Sequence, residues 1–163
     1  MGASLLVVCT GNICRSPTAE GVLRTKARQR GLGEDLRIAS AGTHDYHVGE
    51  PPDPRTIRHA SRRGYDLSAQ RARQITLEDF HAVGYILAMD RGHLAQLHSL
   101  APFGSNAKLG LFLEASAAWP GEDVPDPYYG GPAGFEQVLD MVEEAADAWL
   151  ERIGRKLHPE RSL

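Results

Sequence analysis

The most informative segment of this chain is Val7-Val8-Cys9-Thr10-Gly11-Asn12-Ile13-Cys14-Arg15-Ser16-Pro17. The run that leads into it, residues 4–8, is apolar and partly β-branched, which predicts a buried strand. Ser16 followed by Pro17 is typical of a helix N-cap with proline at the first helical position. A tight loop between a strand end and a helix start is therefore expected.

The loop has the composition of an anion-binding site. Gly11 and Asn12 adopt left-handed backbone angles at the lowest cost. They allow the five residues between Cys9 and Arg15 to curl with their N–H groups pointing inward. Inward amides at a helix N-terminus bind anions such as phosphate, and an arginine grips two phosphate oxygens at once. The residues predicted to bind phosphate are Thr10, Gly11, Asn12, Ile13, Cys14 and Arg15.

Cys9 is the candidate nucleophile. A thiol at a helix N-terminus, beside an arginine and within reach of a hydroxyl, has a pKa of roughly 3.5 to 7.5 and is readily ionised. Arg15 is expected to hold phosphorus over the sulfur, and Ser16 to stabilise the thiolate. The alternative is that Cys9 is an inert buried residue at the strand end and Arg15 a solvated charge at the helix start.

The remainder of the chain alternates strands with helices. After a first helix at 16–29, strands are predicted at 36–39, 83–89 and 108–113, and helices at 54–64, 76–80, 91–100 and 135–153. This order predicts an α/β fold. We expect a single three-layer domain with a twisted four-stranded parallel sheet, helices on both faces, and the phosphate-binding loop between the first strand and the first helix.

Length and charge limit the classes of partner. The 163 residues fit one domain, 1–163, with a loose tail from about residue 158. A formal net charge of -3 gives no electrostatic reason to expect nucleic acid or an anionic membrane. No long apolar segment and no secretory signal are present. A cytoplasmic protein that is monomeric or weakly self-associating is expected, although non-classical export leaves no trace in a sequence.

Cys9 and Cys14 are the two cysteines, and both lie in the loop. Two cysteines do not make a disulfide framework, and they make a cysteine-rich metal site implausible. Cys14 is either a small packing residue or a resolving thiol that pairs with an oxidised Cys9. No metal or cofactor is expected, because the loop itself supplies the positive charge.

Residues 9–20, C-T-G-N-I-C-R-S-P-T-A-E, resemble the signature of the low-molecular-weight protein tyrosine phosphatases. Further stretches are similar to that family in the expected order, so the resemblance spans nearly the whole chain. They are Ser40-Ala41-Gly42-Thr43 with His47-Val48-Gly49-Glu50-Pro51, Arg71-Ala72-Arg73-Gln74, and Asp126-Pro127-Tyr128-Tyr129-Gly130. The resemblance implies hydrolysis of phosphotyrosine in partner proteins, and of small aryl phosphates, through a phosphocysteine intermediate. It also implies that phosphate, sulfate or vanadate binds in the loop.

Two aspartates lie in the irregular segment 117–132, Asp123 and Asp126. Cleavage of an aryl phosphate needs a proton donor for the departing oxygen, and a carboxylic acid on a loop over the strand ends suits that role. From the residues alone, Asp126 is either this donor or a turn aspartate before a proline. The resemblance implies that Asp126 is the general acid.

Aromatic residues are the candidate walls of the substrate pocket. Tyr46, Tyr128 and Tyr129 are either surface aromatics or walls for a flat phenyl ring, and the resemblance favours walls. The last two are also candidate targets of phosphorylation. Ile13 is larger and more apolar than the threonine of relatives that act on phosphoarginine, which favours a phenyl ring as well.

Ser40 and Gln70 are the expected supports behind the loop, as the resemblance implies. Gln70 stands where the family more typically has a histidine that supports the loop asparagine. We therefore expect the Gln70 amide to hydrogen-bond Asn12, without the pH dependence of an imidazole. Asp90 either supports the loop from a neighbouring strand end or caps the helix that begins near Arg91.

Three other functions are considered. An arsenate reductase on the same scaffold would use further cysteines downstream, and none follows Cys14. A protein-arginine phosphatase would carry threonine in place of Ile13. A non-catalytic phosphotyrosine-binding module would not need a nucleophile, an arginine and an acid together.

Overall fold

A parallel sheet of four strands carries the loop. The computed structural model describes residues 2–161. The strands are β1 (Ala3–Cys9), β2 (Leu36–Gly42), β3 (Tyr85–Ala88) and β4 (Lys108–Leu111), and their order in the sheet is β2-β1-β3-β4. Because β1 lies between β2 and β3, the chain first adds β2 on one side of β1 and then adds β3 on the other side. The carboxyl end of β1 is thus a topological switch point, where ligands bind in such sheets.

Helices cover both faces of the sheet. They are α1 (Arg15–Gln29), α2 (Pro54–Arg62), α3 (Asp79–Ala82), α4 (Arg91–Leu100) and α5 (Pro132–Leu157), with short 3-10 turns at Phe112–Ala115 and Pro159–Arg161. Alternate β1 side chains enter different cores, since Leu5 and Val7 pack in the cluster of α1 and α5, whereas Leu6 and Val8 pack with Leu97 of α4. The α/β fold class expected from the sequence is confirmed.

Helix α5 carries a long apolar stripe. The stripe is buried at the helical spacing that the sequence predicts. Its members are Phe135, Val138, Leu139, Met141, Val142, Ala145, Ala146, Trp149, Leu150 and Ile153. Among residues 2–161, no helix is long and apolar enough to cross a bilayer.

Element boundaries differ from the sequence prediction around the loop. Strand β2 continues to Gly42 instead of breaking at Ser40, because residues 40–42 pair in register with the last three residues of β1. Helix α1 begins at Arg15 with Cys14 as its N-cap, so the prediction that Ser16 caps it was wrong. The Ser16 hydroxyl is instead turned towards the loop.

His158, at the start of the expected tail, contacts the rest of the fold. Nε2 of His158 lies 2.9 Å from Oδ2 of Asp35, and a 3-10 turn follows at Pro159–Arg161. These contacts attach the end of α5 to the turn before β2. Residues 162–163 of the expected tail lie outside the described residues.

Candidate active site

The backbone of the loop is fixed by the end of β2. The N–H of Thr43 donates to the Cys9 carbonyl at 2.9 Å, and that of His44 to the Thr10 carbonyl at 3.1 Å. Gly42 permits this close approach, because a Cβ atom there would lie 2.6 Å from the Thr10 carbonyl oxygen. Asn12 has a φ of 59° and is the one non-glycine residue of the described chain in the left-handed region. The unusual backbone expected from Gly11 and Asn12 thus resides in Asn12.

Cys9 is buried at the carboxyl end of β1, with its thiol facing the first turn of α1. Sγ of Cys9 lies 3.0 Å from Oγ of Ser16. Nδ2 of Asn12 donates to that same oxygen at 2.8 Å, so the serine proton points either at the sulfur or at the more distant Ala41 carbonyl, 3.4 Å away. The thiol therefore faces a hydroxyl that can donate to it.

The side chain of Asn12 is held by three hydrogen-bond partners. Its Nδ2 also donates to Oγ of Ser40 at 2.9 Å, and the Ser40 hydroxyl in turn donates to the buried carboxylate of Glu20 at 2.7 Å. Its Oδ1 accepts from the N–H of Arg73 at 3.0 Å. Every polar atom of the amide has a partner, so the strained backbone angle of Asn12 is maintained by the surrounding structure.

Gln70 makes no hydrogen bond to Asn12, so the expectation that its amide would bond Asn12 was wrong. Its Nε2 donates to the carbonyl of Pro17 at 3.0 Å, in the first turn of α1. The oxygen of Asn12 is already occupied by the N–H of Arg73, and its nitrogen by two serines. Gln70 contacts the helix that follows the loop and leaves the loop amide to other groups.

Arg15 is buried and held in one orientation. Its Nη1 donates to Oδ2 of Asp90 at 2.7 Å and to the carbonyl of Val124 at 3.0 Å. Within residues 2–161, Nε and Nη2 have no hydrogen-bond partner, so both remain available to two oxygens of an anion. The fixed guanidinium is suited to bidentate phosphate binding.

Asp90 both supports the loop and caps a helix. Besides binding Arg15, its Oδ1 accepts from the N–H of His93 at 2.9 Å, which caps α4. Partial burial raises the pKa of Asp90, but the hydrogen bonds from His93 and Arg15 outweigh it and hold the pKa below its ordinary value. Asp90 is therefore a carboxylate at neutral pH, and the two alternatives expected for it are both realised.

Of the two candidate acids, Asp126 is the one that reaches the loop. Its Oδ2 lies 3.7 Å from Nη2 of Arg15, and its side chain is half exposed. Its Oδ1 accepts from the N–H of Tyr128 at 3.0 Å, so it is also a turn aspartate. Asp123 points elsewhere and pairs with Arg91 at 3.2 Å.

A pocket of about 240 Å³ opens over the loop. Its floor contains Cys9 and Arg15, and the side chain of Asp126 lies at its edge. The sequence-predicted walls all line it: Ile13, Tyr46, Tyr128 and Tyr129. Tyr46 stacks on His44 with ring centroids 4.9 Å apart. An anion bound in the loop would thus carry its substituent out between aromatic rings.

The family described as low molecular weight phosphotyrosine protein phosphatase matches residues 4–159. The chain belongs to this family. A low molecular weight protein-tyrosine-phosphatase of Streptomyces coelicolor is 45% identical over 149 residues, which cover 90% of each chain. A protein tyrosine phosphatase of Entamoeba histolytica with Hepes in its active site superposes with a TM-score of 0.90 at 34% identity, covering 96% of this chain and 99% of that one. An arginine phosphatase of Drosophila superposes with a TM-score of 0.83 at 30% identity, covering 91% and 96%.

Cys14 of this phosphatase is a buried residue of the loop. Both cysteines are free thiols. Burial raises the pKa of Cys14 to about 12. Cys14 is therefore a neutral thiol at physiological pH, in keeping with a packing role.

Three residues at the phosphatase site were not anticipated from the sequence. Glu20 completes the support of Asn12, His47 lines the pocket beside Gly11, and His93 lies 2.7 Å from Thr10. Glu20 and His47 carried a signal, because each lies inside a stretch that resembles the family, whereas His93 carried none. Within the described part of the chain, no group of three or more His, Cys, Asp or Glu side chains is arranged to hold a metal ion.

Proposed function

We propose that this member of the family hydrolyses phosphotyrosine in proteins, and small aryl phosphates, with Cys9 as nucleophile. The observation that carries the proposal is one pocket that combines a buried thiol beside a hydroxyl, a guanidinium with two free donors, and a carboxyl group at the rim. Aromatic walls around that pocket fit a phenyl ring.

In the first step the Cys9 thiolate attacks phosphorus in line with the ester oxygen. A sulfur–phosphorus bond forms as the phosphorus–oxygen bond breaks, and the departing phenolate takes a proton from Asp126. Arg15 and the loop amides neutralise the charge on the three equatorial oxygens. The products are phosphocysteine and the free tyrosine side chain.

In the second step water attacks the phosphocysteine. Asp126, now a carboxylate, accepts a proton from that water, and the sulfur leaves as a thiolate. The Ser16 hydroxyl at 3.0 Å stabilises the departing sulfur by hydrogen bonding. Inorganic phosphate is released, and the loop returns to its starting state.

The same loop would bind free phosphate, sulfate or vanadate. Hepes, which carries a sulfonate, occupies the active site of the Entamoeba relative. Sulfonate, sulfate and phosphate present similarly arranged oxygens to a ring of amides and an arginine. We also propose that the protein is cytoplasmic and is monomeric or weakly self-associating.

Steady-state kinetics on matched phosphotyrosine, phosphoserine and phosphoarginine peptides test the proposal. We expect turnover of phosphotyrosine to exceed that of the other two, because Ile13 and the tyrosine walls fit a phenyl ring. Cys9→Ser should bind the phosphotyrosine peptide and show no turnover, since an alcohol replaces the thiolate. Appreciable activity of Cys9→Ser would mean that the nucleophile is misassigned.

Arginine phosphatase activity is the second candidate, favoured by the likeness to the Drosophila enzyme. Preference for the phosphoarginine peptide would replace the tyrosine assignment. A burst of p-nitrophenol separates an enzyme from a non-catalytic binding module. Arsenate reduction would require an oxidisable thiol beyond Cys9 and Cys14, and an arsenate assay examines it directly.

A further inference from the structure

The first turn of α4 touches both ends of the phosphate-binding loop. At one end, Nε2 of His93 lies 2.7 Å from the hydroxyl oxygen of Thr10, the residue after the nucleophile. At the other end, Asp90 binds Arg15 at 2.7 Å, and the N–H of His93 binds the same carboxylate at 2.9 Å. The ring of His93 therefore contacts Thr10 directly, and its backbone N–H is linked to Arg15 through the carboxylate of Asp90.

We infer that His93 is a positioning residue that fixes the two ends of the phosphate-binding loop relative to each other. The inference rests on the proposed phosphatase function. The Thr10 carbonyl is already held by the N–H of His44, and the imidazole adds a second attachment through the side chain. With Thr10 and Arg15 tied to one helix turn, the loop amides and the guanidinium keep the separation that a phosphate requires.

The imidazole contacts Thr10 as a neutral ring. Burial lowers the pKa of His93 to about 4, with Asp90 and Asp126 opposing the shift and Arg15 and His44 adding to it. Nδ1 lies 3.1 Å from Oδ1 of Asp90 without an aligned hydrogen bond. A carboxylate at that distance favours a proton on Nδ1, which leaves Nε2 to accept the proton of the Thr10 hydroxyl.

Two amide variants of His93 distinguish the roles of its two ring nitrogens. Glutamine places its terminal amide near the position of Nε2, whereas asparagine reaches only to the position of Nδ1. One net hydrogen bond corresponds to a factor of about five. We therefore expect His93→Asn to lower kcat/KM for p-nitrophenyl phosphate about fivefold and to raise the inhibition constant of inorganic phosphate by about the same factor. His93→Gln should stay within about twofold of wild type in both.

Thr10→Val removes the other partner with little change of shape. It should show the same loss as His93→Asn, and the double variant should be no worse than either single variant, because both remove one interaction. His98→Asn, on the exposed side of the same helix, is the matched control and should behave as wild type.

Several results would overturn the inference. Equal kinetics of the Asn and Gln variants would show that Nε2 is not the working atom. Equal loss of Tm in both variants with an unchanged phosphate inhibition constant would mark His93 as merely structural. A defect of His93→Asn confined to pH below about 6 would point to a charged ring, contrary to the neutral one described here. If wild type itself released no p-nitrophenol, the proposed function would fail, whereas an active wild type with unaffected variants would reject His93 alone.

Discussion

The floor and the walls of the pocket are built in opposite ways. On the floor, Cys9 and Arg15 are 3% and 4% exposed, and hydrogen bonds hold the neighbouring side chains of Asn12, Ser16 and Asp90. On the walls, Tyr46 and Tyr129 are 68% and 94% exposed, and their hydroxyls have no hydrogen-bond partner among residues 2–161. The phosphate group thus binds to the rigid floor, whereas its substituent contacts wall side chains that can move.

This contrast follows from the cost of burying polar groups. An amide such as that of Asn12 is tolerated in the interior only because all its donors and acceptors are satisfied, so the surrounding network has one arrangement. The exposed rings carry no such constraint. Substitutions in the floor should therefore change the hydrolysis of every phosphate ester by a similar factor. Substitutions in the walls should change only the contribution that the aryl group makes to binding.

Asp126 lies at the boundary between the two regions, and its removal should have a larger effect than a change at Gly42 or Tyr46. Asp126→Asn keeps the shape of the side chain but cannot supply the proton to the leaving oxygen. We expect kcat on a phosphotyrosine peptide to fall by a factor on the order of 10² to 10⁴. The loss should be smaller on p-nitrophenyl phosphate, whose leaving group departs without protonation.

The neighbouring aspartate gives the control for this prediction. Asp123 lies in the same segment and pairs with Arg91 outside the pocket, so Asp123→Asn should keep wild-type kinetics. If Asp126→Asn turned over phosphotyrosine as fast as wild type, the proton would have to come from another group.

Gly42 tests the rigidity of the floor without touching substrate. A Cβ at this position would lie 2.6 Å from the Thr10 carbonyl oxygen, so Gly42→Ala must displace the loop or the end of β2. Strain of about 1 to 3 kcal/mol corresponds to a loss in kcat/KM of roughly 5- to 150-fold. The loss should be the same for p-nitrophenyl phosphate and for a phosphotyrosine peptide.

A glycine in ordinary surroundings provides the comparison. The Cβ of Gly154→Ala in α5 would meet only Leu32 at 3.5 Å, an ordinary contact, so activity should be unchanged. A loss in Gly42→Ala restricted to one substrate would mean that the floor is not the uniform, rigid region described above.

The fold was largely predictable because its signals are local. The apolar run before Cys9 and the 3.6-residue stripe of α5 each identify one element, and alternation of strands with helices implies a parallel sheet. The boundaries near the loop were less predictable. Strand β2 extends to Gly42 because it pairs with β1, and nothing in residues 40–42 alone indicates that pairing.

The candidate site was predictable where one segment carries it and not where distant segments meet. The positions of Cys9, Ser16 and Arg15 follow from one stretch of sequence. The contact between Thr10 and His93 joins residues 83 apart, and a lone histidine on a helix gave no indication of it. Gln70 shows the same limit, because its partner depends on which distant groups already occupy the Asn12 amide.

Substitution of Tyr46 should have the smallest effect on kinetics, but it distinguishes the wall from the floor most clearly. Tyr46→Ala removes an exposed ring that stacks on His44 and lines the pocket, so we expect KM for a phosphotyrosine peptide to rise about 2- to 10-fold, the worth of one aromatic contact. The inhibition constant of inorganic phosphate should not change, because phosphate has no ring to contact. Phe103→Ala, which removes a fully exposed ring outside the pocket, is the matched control. A parallel rise of the phosphate constant in Tyr46→Ala would place this tyrosine among the supports of the loop and erase the distinction between the two regions.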